Sequence, residues 1–189
     1  MLFWSLLSLV AVAGPKKKRR AEPEPPPVEA PAPVRMDNAG IDAFLTRVFG
    51  DAATDMRQSP NQWSFNIERF PVMIVTDEGA DRMRIIIPIT DTESLPQGFA
   101  ERMLQANFDA VLDARYAIGQ GTVWATFIHP LSPLTEAQLA SGLAQTVTAA
   151  ATFGTTFTSG ALVFGGGDSS GIYEELLEKF KDPVDRQGI

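Results

Sequence analysis

Ile41, Phe44, Leu45, Val48 and Phe49 recur at the spacing of one helical face, and Gly50 follows as a stop. Trp63, Phe65 and Ile67 then alternate with Ser64, Asn66 and Glu68, the period of a half-buried strand. Val72–Val75 is a short run expected to be buried. Asp77-Glu78-Gly79 supplies a turn, and Met83, Ile85, Ile87 and Ile89 alternate along a third strand. A second helix is expected next, capped by Ser94, with Pro96 in its first turn and Gln97 at the capping-box position. Its stripe is Phe99, Met103, Ala106 and Ala110, broadened by Leu104, Phe108, Val111 and Leu112. Two more strands follow, Ala114–Ile118 and Thr122–Ile128, joined by Gly119-Gln120-Gly121. Thr135 with Gln138 then forms a capping box, and Leu134 against Leu139 a hydrophobic staple, at the start of a third helix.

The pattern therefore predicts an α+β domain of order α-β-β-β-α-β-β-α. Short turns between strands imply an antiparallel sheet with helices packed on it. On the last strand Val123, Ala125 and Phe127 face one way and Trp124, Thr126 and Ile128 the other, so both faces carry apolar or β-branched residues. Either helices cover both faces, or one face meets another chain; the second is the expectation, as a two-fold dimer.

The ends of the chain differ from its middle. Residues 1–20 join an uncharged apolar stretch, Met1–Gly14, to the basic run Lys16–Arg20. As a helix the stretch spans roughly 21 Å, short of the ~30 Å hydrocarbon core. Ala11-Val12-Ala13 fits a signal-peptide cleavage site, which would export the domain to the periplasm. The cations immediately after it resist translocation and favour an anchor with the domain in the cytoplasm. Residues 21–36 form a tether rich in Glu, Pro and Ala, expected to be an extended, semi-rigid spacer. The folded domain is assigned to 37–164. Residues 165–189 form a Gly-linked segment in which Ile172, Tyr173, Leu176, Leu177 and Phe180 share a helical face, able to dock on its own domain or on another chain.

Composition narrows the function. With 44% hydrophobic residues among 189, the chain can build a core. It has no cysteine and one histidine, which removes thiolate chemistry and a two-histidine metal site. Taking the five cations of Lys16–Arg20 from 16 Lys+Arg leaves 11 against 23 Asp+Glu, a balance of −12 beyond Arg20. A domain so acidic repels phosphates, so no nucleic-acid partner is expected.

Leu95-Pro96, Met103-Leu104-Gln105-Ala106-Asn107-Phe108, Ala114-Arg115-Tyr116-Ala117-Ile118, Trp124–Ile128, Pro130-Leu131 and Leu134 through Leu143 resemble the YbjN family. That family's fold is the one of the type III secretion chaperones typified by the Tir chaperone. The architecture is alike over about residues 38 to 158 and the wording over about 95 to 145. The resemblance implies a non-enzymatic domain that tends to dimerise and to hold extended segments of other proteins.

No residue is assigned a catalytic, cofactor-binding or metal-binding role. Gly167-Asp168-Ser169-Ser170-Gly171 has the look of a serine-protease nucleophile loop, but that chemistry needs a histidine base and a buried aspartate. The sole histidine, His129, ends a strand and reads as structural or edge-exposed. Asp77, Glu78 and Asp81 read as a solvated turn rather than a calcium loop. The expectation is a non-catalytic, chaperone-like protein- or peptide-binding module held at a membrane through residues 1–20. A structural subunit of a membrane assembly is the alternative, and a hydrolase the remote one.

Overall fold

In the computed structural model the described residues are 36–154 and 169–181. They belong to the compact unit Pro33–Ile189. The apolar stretch and basic run of 1–20, the tether up to residue 35, and Gly165, Gly166, Gly167 and Asp168 lie outside them.

Helix α1 (Asn38–Phe49) starts where the Asp37 carboxylate accepts from the Gly40 N–H at 2.7 Å, and ends at Gly50. Gly50 has φ 60°, a conformation costly for any residue with a Cβ. Six strands follow: β1 (Arg57–Ser59), β2 (Gln62–Ile67), β3 (Phe70–Asp77), β4 (Arg82–Asp91), β5 (Arg115–Gly119) and β6 (Thr122–His129). They form one sheet in the order β1-β2-β3-β4-β6-β5, antiparallel throughout. Helix α2 (Phe99–Asp109) lies between β4 and β5, and α3 (Glu136–Ala151) follows β6. Helix α4 (Ser169–Lys181) closes the described chain.

The expected α+β antiparallel fold is thus observed, with one strand more than the sequence pattern showed. Strand β1 has only three residues, none of them apolar, and its register breaks between Arg57 and Ser59. Strand β3 extends past Val72–Val75, pairing Phe70 and Pro71 with β2 and Thr76 and Asp77 with β4, and the run is not buried throughout, because Met73 and Val75 face away from the helices.

The start of α2 differs more. Ser94 ends a 3₁₀ turn and caps nothing; the helix begins after Gly98, at φ 80°, without a side-chain cap. The reason is Pro96, which keeps Leu95 extended at φ −75°, ψ 129° and so forbids a helix running through it. Helix α2 buries Met103 and Ala106, whereas Leu104 and Phe108, expected to widen its packed stripe, are 70% and 65% exposed. By contrast, α3 starts as expected. Thr135 Oγ1 accepts from Gln138 N at 3.2 Å, and Gln138 Oε1 from Thr135 N at 2.9 Å. Leu134 and Leu139 are both fully buried.

Helices α1, α3 and α4 cover one face of the sheet. Trp63, Ile74, Ile85, Ile87, Val123 and Ala125 project into that side and are buried there. The Trp63 indole donates to Asp42 of α1 at 2.7 Å, and Arg47 of α1 pairs with Glu136 of α3 at 2.5 Å. Helix α4 spends its apolar face on this core: Leu176 and Phe180 are buried, Tyr173 and Ser141 share a hydrogen bond at 2.9 Å, and Lys179 reaches Glu68 at 3.5 Å. Of the two destinations the pattern left open for this helix, it takes its own domain.

Candidate functional site

The other face of the sheet carries no helix among the described residues. Strand register fixes what it displays. Met73 of β3 stands beside Ile86 of β4, and Ile86 beside Thr126 of β6; Arg84 stands beside Ile128, and Pro88 beside Trp124. On the edge strand, Arg115 and Ala117 continue the rows of Thr126 and Trp124. Of these, Met73, Arg84, Ile86, Ala117, Trp124, Thr126 and Ile128 line an open groove of about 490 Å³, within the size range of ligand clefts.

Local sequence shapes the groove. The pairing of β3 with β4 reaches only Met73 and Ile86, short of Pro71 and Pro88, neither of which has an N–H to donate. Register between β4 and β6 also slips between Pro88 and Thr90. The β5–β6 turn is Gln120-Gly121, both at positive φ as a two-residue hairpin requires. The Trp124 indole N–H donates to the Gly119 carbonyl at 3.0 Å, which pins its ring over this turn while leaving the ring partly exposed. Ile128 at the other end is 53% exposed. The Thr126 hydroxyl is buried and has no hydrogen-bond partner among the described residues.

Polarity here is sparse. Arg84 is exposed and makes no ion pair among the described residues. Arg115 turns away to the carbonyls of Leu112 and Ala114. Among the described residues, the groove offers apolar contact and one free cation, and supplies no nucleophile, general base or metal ligand set.

The residues weighed for chemistry are dispersed. His129 stacks on Phe127, 6.0 Å between ring centroids, and its Nδ1 lies 2.6 Å from the Pro130 carbonyl. Asp77 accepts from Ala80 N at 2.9 Å and Glu78 from Asn38 N at 3.1 Å, so both are occupied in closing a turn and starting α1. Asp81 accepts from the Ser132 N–H at 2.7 Å, which, with the Ser132 hydroxyl, holds its carboxyl below the usual range. The side chains of Ser169 and Ser170 lie outside the described residues, as does Asp168.

A second apolar surface lies on α2. Leu104 and Phe108, one helical turn apart, are exposed, with Leu112 and Ile118 also open to solvent. The sequence reading placed the first two inside the packed stripe, because helical periodicity does not say which of two apolar stripes meets the core.

No family model matches this chain, and no curated protein does. Solved structures do. A chain of the ExsC–ExsE complex matches with a TM-score of 0.51 at 13% identity, covering 66% of this chain and 98% of that one. The fold is the secretion-chaperone fold. A chain of the HopA1–SchA chaperone–effector complex matches with a TM-score of 0.41 at 15% identity, over 59% of this chain and 93% of that one.

Proposed function

We propose that this protein is a non-catalytic, chaperone-like module that holds segments of another protein on the open face of its sheet. The observation that carries the reading is that face: an apolar groove on six-stranded scaffolding, backed on the other side by three helices and left uncovered by the described residues. Monomeric proteins rarely leave such a surface without a use. The fold shared with a chain of the ExsC–ExsE complex supports it, as does the wording that resembles the YbjN family. A permanently unfolded polypeptide is the probe. The full chain should bind it, and Ile86→Lys or Ile128→Lys should weaken binding about tenfold, on the order of 1.4 kcal/mol. Leu104→Lys, on α2, should leave that binding unchanged. Equal affinity in both groove variants, with the fold intact, rules the groove out.

Two further parts complete the reading. The two-fold contact expected on the sheet face moves to α2: the exposed stripe of Leu104 and Phe108, expected to pack inside, is the surface through which two copies pair, in keeping with the dimerising habit that the resemblance implies. Residues 1–20 hold the domain at a membrane, on its cytoplasmic side, because Lys16–Arg20 follows the apolar stretch directly. Protease added to spheroplasts should then spare the domain; digestion from outside would mean export instead. The structural-subunit alternative drew on the tail helix as a docking element, and α4 has its apolar face against its own core.

A further inference from the structure

A sheet can hold a peptide in two ways: as an added strand at an edge, or laid across a face. Both edges of this sheet are blunted. On β5 the Asn107 side chain reproduces a neighbouring strand. Its amide nitrogen donates to Tyr116 O at 3.0 Å, and its Oδ1 accepts from Tyr116 N at 2.7 Å. Two residues back, the Ala114 N–H is taken by Gln145 Oε1 at 3.1 Å. Because outward-facing backbone recurs every second residue, only Ile118 keeps an open edge along this strand. On β1 the strand is three residues long and irregular, and Arg57 folds back onto the carbonyls of Ser59 at 3.3 Å and Pro60 at 2.5 Å. Short, bulged and side-chain-plugged edges are the devices that prevent strand addition.

The face remains, and Arg84, the charged residue among those lining the groove, gives it a preference; Arg82 and Asp91 stand on the same face outside that lining. Arg84 lies among Val75, Ile86 and Ile128 with no anion among the described residues, in a domain whose balance beyond Arg20 is −12. Asp77, on the same face, is engaged by the Ala80 N–H. The Thr126 hydroxyl, more than nine-tenths buried in the groove lining, has no partner among the described residues either. Guanidinium favours a carboxylate, which it can grip through two parallel N–H bonds.

We propose that the groove selects an extended polypeptide segment that sets an acidic side chain among large apolar ones, laid across the strands and not added to an edge. This rests on the protein-binding reading above and specifies its partner. The carboxylate would meet Arg84, and the flanking apolar side chains would cover Met73, Ile86 and Ile128.

The test uses the full chain and three labelled peptides of alternating Leu and Ser, identical except for a central Asp, Asn or Lys. Fluorescence anisotropy should give the Asp peptide about fivefold tighter binding than the Asn peptide, with Lys weakest. Arg84→Gln should level the three, and Arg84→Glu should reverse their order; Arg84 is exposed, so both variants should fold, which circular dichroism checks. Asn107→Ala, which reopens the β5 edge, should not strengthen binding. Binding indifferent to the central residue overturns the acidic preference while leaving the protein-binding reading in place. Tighter binding in Asn107→Ala overturns the face-on mode. Binding of none of the three overturns both the proposal and the reading beneath it.

Discussion

Tyr116 lies on the covered side of β5, its ring 5.5 Å from that of Phe153 and its hydroxyl donating to the Ala149 carbonyl of α3 at 2.7 Å. Burial pushes its pKa up to about 12, so the fold favours the neutral phenol. Because the folded value exceeds the unfolded value of about 10, this stabilisation is complete below pH about 10 and disappears as pH rises to about 12. Denaturant unfolding between about pH 9 and pH 12 should therefore show on the order of 2 kcal/mol more loss in the native chain than in Tyr116→Phe. Equal losses in the two would mean that Tyr116 is not the titrating group. Such contacts were not legible in the sequence: Tyr116 reads only as one of a strand's alternating residues. Gly142 is another case. A Cβ there would stand 2.8 Å from the Phe127 ring, so α3 approaches β6 as closely as it does only because that position is glycine.

At the scale of elements, legibility followed the amount of local information in each segment. Helix α3 was readable because its capping box and staple state the start in four residues, and local geometry then decides the outcome. Strands β2, β4 and β6 were readable because one face is covered, which imposes a period of two. Strand β1 has no such signal; it exists because Arg57 and Ser59 meet Trp63 and Gln62, a tertiary fact. The start of α2 was misread because Ser94 and Gln97 satisfy the capping pattern while Pro96, between them, bars it. Asn107 and Gln145, which plug the β5 edge from two helices, carry no pattern that a linear reading could register. The alternation on β6 did place Trp124, Thr126 and Ile128 on a common face, so the candidate site was half visible. It also led to the expectation that another chain, not a helix, meets that face, and no helix of the described residues covers it; what remained hidden was which residues of β3 and β4 stand beside it.

For the whole molecule, the arrangement separates two tasks. Helices α1, α3 and α4 build stability on one side of the sheet, where the fully buried Trp63, Phe44, Leu139 and Leu143 lie. Burying each such side chain contributes about 1.5–3 kcal/mol. The opposite side is then free to present Met73, Arg84, Ile86, Trp124 and Ile128 to another chain without disturbing that core. The exposed α2 stripe is, in the proposed reading, a separate surface for a second copy. A photo-reactive amino acid placed at Ile128 in the full chain, irradiated in the cell, tests this division most directly, with Leu104 as the comparison site. The account predicts that Ile128 gives adducts with a different polypeptide while Leu104 gives an adduct of twice the chain's own mass. Adducts with another polypeptide only from Leu104, and none from Ile128, would contradict it.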